Sequence, residues 1–215
     1  MKILYLDTSS SFLYTAIMDE KKVIIEIKEK LDRELSTKAL PKINEMFEKS
    51  NIKPNEINKI IVVNGPGSFT GIRIGLTIAK TFAWAKNIPI IPISSLEAMS
   101  LSCDEKKYKY VIPYIDARRD FAFAAIYDTE NSEFVMTEKY ISRVTLEVIM
   151  ENLPGEITYI SNDPINTDYN IIGYNPNILN IVLKNYERPS VNPHAIDANY
   201  LKLTEAEEKN DNRNN

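Results

Sequence analysis

The chain has 215 residues, 44% of them hydrophobic and 26% charged, with a formal net charge of -4. That length suits one large domain or two small ones with a sizeable core, and the acidic balance argues against a protein whose main task is gripping nucleic acid. With a single histidine, His194, the chain lacks the parts of HExxH and HxxxH metal sites and of a Ser-His-Asp relay with ordinary spacing.

Three further features point to a cytoplasmic protein. No apolar run is long enough to span a bilayer, no basic-then-apolar leader opens the sequence, and the lone Cys103 can make no internal disulfide.

Residues 2–6 read as an apolar strand, 7–11 (Asp-Thr-Ser-Ser-Ser) as a polar turn, and 12–18 and 23–27 as two more strands. Residues 38–49 carry Leu40, Ile43, Met46 and Phe47 at helical spacing, with Ser36 or Thr37 as N-cap and Pro41 in the first turns. A linker at 51–56 leads to a strand at 59–64. The segment Gly65-Pro66-Gly67-Ser68-Phe69-Thr70-Gly71-Ile72-Arg73-Ile74-Gly75 then joins that strand to a helix predicted over 70–86. A short strand at 89–93 and a helix from Ser94 or Ser95 to about 101 close the first half. His194, in Asn-Pro-His-Ala, reads as an exposed loop histidine.

Residues 112–128 can be laid on residues 3–19 without a gap, which places Asp116 on Asp7 and argues for an internal duplication. A strand at 133–141, a helix at 145–152, a strand at 157–161 and a helix at 178–184 follow. The polar end, 204–215, is expected to be disordered.

The glycine segment can hold an anion at a helix N-terminus or another backbone at short range. It is not a P-loop, because Gly71 is followed by Ile72-Arg73 rather than Lys-Ser/Thr. Nor does the spacing of Gly65, Gly67 and Gly71 fit a dinucleotide fingerprint. Gly71, Gly75, Ala79 and Ala83 repeat every four residues and form a ridge without bulk, flanked by Ile74, Ile78 and Phe82. Either the helix's own sheet covers that ridge or a subunit does. On the subunit reading, Gly75→Leu would abolish complex formation and leave the chain folded. Asp7 can close an Asx turn or face metal-bound phosphate. Asp116, followed by Ala117-Arg118-Arg119, can pair locally or meet an anion or partner.

The motifs Leu6-Asp7-Thr8-Ser9, Gly65 to Gly75, Ser94-Ser95-Leu96, Ile115-Asp116-Ala117-Arg118 and Asn199-Tyr200-Leu201-Lys202 together resemble the TsaB (YeaZ-like) family. The resemblance implies an α/β, duplicated actin-like (ASKHA, ribonuclease H-like) fold. Its two sub-domains, over 1–104 and 105–203, would each hold a mixed sheet with flanking helices.

It further implies a non-catalytic subunit in forming threonylcarbamoyladenosine on tRNAs that read codons beginning with A. Such a subunit pairs with a TsaD-type transferase through N-terminal helices, is joined by a TsaE-type ATPase, and can form a homodimer. It meets tRNA only through the complex, with no membrane partner. Partner contacts would fall on Gly71, Ile74, Gly75, Ile78, Ala79 and Phe82. Structural or nucleotide-contacting roles would fall on Asp7, Thr8, Gly65, Pro66, Gly67, Ser68, Thr70, Arg73, Asp116 and Arg118. No metal and no tightly bound cofactor are implied, and ATP or ADP would act at the level of the complex. The family often has His-Ser before its first helix, where this chain has Leu35-Ser36. The competing expectations are a free-standing actin-like ATPase and a glycoprotease-like metallopeptidase.

Overall fold

Strand β1 (Ile3–Asp7) is buried on both faces, as an apolar run bounded by polar turns demands of a central strand. It pairs antiparallel with β2 (Phe12–Met18), which pairs antiparallel with β3 (Val23–Lys30). On its other side β1 pairs parallel with β4 (Lys59–Val63), and β4 with β5 (Ile90–Ile93), giving the order β3-β2-β1-β4-β5. This computed structural model describes residues 1–104 and 107–202.

Strands β6 (Tyr110–Asp116), β7 (Phe121–Asp128), β8 (Glu133–Ser142), β9 (Ile157–Ile160) and β10 (Asn170–Ile172) repeat the arrangement in the order β10-β9-β6-β7-β8. The duplicated α/β fold is therefore present as two mixed five-stranded sheets. Strand β10 escapes a pattern reading because it is three residues long and largely exposed. The polar end expected to be disordered, 204–215, lies outside the described residues.

Helices α1 (Leu35–Ser50) and α2 (Phe69–Lys86) cover one face of the first sheet, over a core that includes Leu4, Leu6, Leu13, Ile60 and Val62. Helix α1 starts three residues earlier than its periodicity predicts, because a 3-10 turn at Asp32–Glu34 feeds directly into it. Helices α3 (Ser95–Ser100) and α5 (Ile178–Asn185) contribute to a second core shared by both sheets, with Tyr5, Tyr14, Ile61, Val111 and Ile160. Helix α4 (Arg143–Met150) covers the outer face of the second sheet. Burial of this size is the main stabilising term of such a fold.

The two hairpins differ by one residue. Asp7 pairs with Tyr14 across residues 8–13, whereas Asp116 pairs with Ala122 across the shorter 117–121. The shorter loop turns through Arg118, Arg119 and Asp120, all at positive φ. A one-residue slip exchanges the two faces of a strand. Asp7 and Tyr5 therefore face the core between the sheets, while Tyr114 faces the outer core and Asp116 is exposed. This corrects the ungapped match: Asp116, aligned with Asp7 in sequence, lies on the opposite face of its sheet.

Beyond α5 the chain returns to the first sheet. Val191 N–H donates to Ile90 O at 3.0 Å, Ile196 enters the core beneath α1 and α2, and Asn199 N–H donates to Asn64 O at 2.7 Å.

Candidate partner-binding face around the glycine turn

The join between β4 and α2 is built around the β1–β2 loop. Ser68 caps α2, its Oγ accepting from Gly71 N–H at 3.2 Å, while its own N–H donates to Ser9 O at 2.7 Å. Thr8 is buried and donates its hydroxyl to Gly71 O at 2.7 Å. A Cβ on Gly71 would lie 2.0 Å from Thr8 O, and one on Gly75 would lie 2.3 Å from Thr8 Oγ1. Gly65, in a cis peptide with Pro66, and Gly67 take φ of 110° and 151°, which glycine alone adopts without strain. Of the two uses open to this turn, holding a backbone is the one realised. The carbonyls of Thr8 and Ser9 occupy the cradle.

This corrects the partner reading of the small-residue ridge. Gly71, Gly75 and Ala79 are buried against the chain's own β1–β2 loop and sheet, so none is presented to another molecule. Gly75→Leu would strike Thr8 rather than leave the chain folded.

Asp7 is buried. Its Oδ1 accepts from Ser9 N–H at 2.8 Å and Ser9 Oγ–H at 2.7 Å, and its Oδ2 from Tyr174 O–H at 3.5 Å. That is an Asx turn. Burial raises the carboxyl pKa above its ordinary value, with the bonds from Ser9 and Tyr174 pulling the other way. Asp116 Oδ1 accepts from Arg118 N–H at 3.1 Å, also a local turn. Asp116 and Arg118 meet Gly67 and Ser68 across an inter-sheet cleft of about 660 Å³, from whose walls Asp7 and Thr8 are absent. Among the described residues no three His, Cys, Asp or Glu side chains are grouped to hold a metal ion.

The opposite, outward face of α2 is apolar and open. Ile74 and Ile78 are half-buried, and with Ser36, Leu40, Phe69, Thr70, Arg73 and Thr77 they line a groove of about 510 Å³ between α1 and α2. Leu40 is 60% exposed and Phe69 49%. Phe82 stacks on Phe47 at 6.0 Å and belongs to the packing beneath. The Arg73 guanidinium carbon lies over the Phe69 ring at 3.8 Å from its centroid, the Arg73 Nε–H donates to Tyr200 Oη at 3.1 Å, and Tyr200 stacks on Phe69 at 5.4 Å. Trp84, on the flank of α2, is 65% exposed with its ring edge-on to His194. Leu40, Phe69 and Tyr200 were not singled out as contacts by sequence. Leu40 looks like a core position in its helix pattern, and Tyr200 joins the face only through the returning chain.

The family described as "TsaD: tRNA N6-adenosine threonylcarbamoyltransferase" matches residues 23–182. A Bacillus subtilis relative, the tRNA threonylcarbamoyladenosine biosynthesis protein TsaB, is 31% identical over 97% of each chain. The chain belongs to the TsaB family. The Escherichia coli TsaB is 29% identical over 73% of this chain and 69% of its own. A crystal structure of a Pseudomonas aeruginosa protein with similarity to the peptidase YeaZ superposes with a TM-score of 0.73 at 19% identity, covering 94% of this chain and 99% of that one. A second P. aeruginosa structure, YeaZ itself, gives a TM-score of 0.63 at 23% identity over 74% of each chain. Both structures share the fold. Among the described residues no helix is long and apolar enough to cross a membrane.

Proposed function

We propose that the chain is the non-catalytic scaffold and activator subunit of the complex that forms threonylcarbamoyladenosine in tRNA. Its α1–α2 face binds a TsaD-type transferase, and a TsaE-type ATPase joins that assembly. The same face also supports a homodimer, and tRNA is reached indirectly through the complex. The protein works in the cytoplasm.

One contrast carries the reading. The groove between α1 and α2 is open, apolar and rimmed by aromatic and Arg side chains, the composition of a protein interface. The cradle and aspartate that would serve a nucleotide are occupied by the chain's own Thr8, Ser9 and Tyr174. The carboxylate a free-standing ATPase would need at Asp7 is sealed beneath the cleft. ATP and ADP accordingly act at the level of the complex.

The deciding experiment is reconstitution of the transferase, the ATPase, threonylcarbamoyl-adenylate, ATP and tRNA, with and without this chain. The expected result is modification that depends on the chain, and no ATP turnover by the chain alone. Turnover by the pure chain, or modification that proceeds equally without it, would overturn the reading.

A further inference from the structure

Arg73 stands out among the side chains of the α1–α2 groove. Among the described residues it is the only charged one on the groove wall. Helix α2 carries three cations, Arg73, Lys80 and Lys86, and no acidic residue, in a chain whose net charge is -4. The guanidinium is held on two sides, over the Phe69 ring and through Nε–H to Tyr200 Oη. Its two Nη groups have no carboxylate partner among the described residues. A guanidinium fixed in one plane with its Nη edge unpaired is prepared to receive a carboxylate in bidentate geometry, and little side-chain entropy remains to be lost on binding.

A second copy of this chain is poorly suited to supply the carboxylate. An isologous dimer sets a patch against itself, so α2 would meet only the cations of its counterpart and the uncharged groove wall of α1. The acidic residues of α1 and its approach have partners within the chain: Asp32 with Lys30, Glu34 with Lys38, Glu45 with Lys42 and Lys49, and Glu48 with Asn44.

Resting on the α1–α2 face as the partner site, we infer that Arg73, positioned by Tyr200 of the returning chain, is the specificity contact. It takes an Asp or Glu carboxylate from a heterologous protein helix whose apolar side fills the groove around Leu40, Phe69, Ile74 and Ile78. The same contact sets hetero-association above self-association, because only the foreign partner supplies the missing charge. Tyr200 acts as a positioning residue through its hydroxyl.

Titration calorimetry of the full-length chain with the TsaD-type transferase tests this, alongside sedimentation equilibrium of the chain alone. Arg73→Gln is expected to weaken transferase binding by about tenfold or more and to flatten its salt dependence, with self-association no weaker than wild type. Tyr200→Phe keeps the ring stack and loses the acceptor. It should weaken binding by about threefold, and cost nothing further in the Arg73→Gln background. Binding by Arg73→Gln within about twofold of wild type overturns the inference, as does an equal loss in self-association.

Leu40→Asp separates the two levels. If it abolishes transferase binding while Arg73→Gln does not, the face is right and the charge inference wrong. If neither variant matters, the face itself is wrong. Both variants lie at exposed positions, and matched thermal melts confirm that they fold.

Discussion

A side-chain carbon on Gly75 would come within 2.3 Å of Thr8 Oγ1, on a hydroxyl that already donates to Gly71 O. Alanine is favoured over glycine in a helix interior by about 1 kcal/mol. Thr8 is buried and β-branched, so it cannot swing aside. Gly75→Ala is therefore expected to destabilise by about 1–3 kcal/mol, read by chemical denaturation. Gly71→Ala should be worse, because its obstacle is the Thr8 backbone carbonyl. In the Thr8→Ala background the cost of Gly75→Ala should shrink, and equal costs in both backgrounds would show that the contact does not carry the effect.

Leu40→Asp places a charge on the groove wall at a side chain that is 60% exposed. Its stability should stay within about 0.5 kcal/mol of wild type. Co-purification with a TsaD-type transferase, and chain-dependent tRNA modification with it, should be lost. Retention of both would move the partner face elsewhere.

Asp7 gives a pH dependence with a defined sign. Burial raises its folded pKa above the ordinary 3.8, so folding favours the neutral acid. The stability this group contributes is fully present below that ordinary value and is lost as pH rises through the folded one. Asp7→Asn keeps an acceptor for Ser9 and removes the buried charge. Its melting temperature should exceed that of wild type by about a few degrees at pH 7, with the gap closing as pH falls toward 3.8. A gap independent of pH would mean that the carboxylate is not the cause.

Ile196 tests the return of the chain to the first sheet. It is 4% exposed in the core beneath α1 and α2, although more than a hundred residues separate it from them. Ile196→Ala should cost about 2 kcal/mol or more, measured by denaturant unfolding. A neutral result would detach residues 190–202 from that core.

Much was legible without coordinates, because it is local. Alternating and helical periodicities located nine of the ten strands and all five α-helices among the described residues. The shared Ile-x-Tyr-x-Asp and Phe-x-x-x-Ala-Ile patterns exposed the duplication, and the motif set pointed to the family. Boundaries moved where a cue was weak, as at Leu35, where a 3-10 turn merges with α1 and no side-chain cap marks the start.

What sequence by itself determined is the set of elements, their repeat and the small-residue ridge along α2, since each is encoded in spacing along one segment. Tertiary structure alone decided what meets those elements. The ridge meets Thr8, some sixty residues upstream, at Gly71 and Gly75, and so faces inward. A hairpin one residue shorter turns Asp116 out to solvent while Asp7 is buried. A chain end that crosses back brings Tyr200 to Arg73. Each outcome depends on register and long-range return, where a single residue exchanges the faces of a strand and no local pattern records which neighbour arrives.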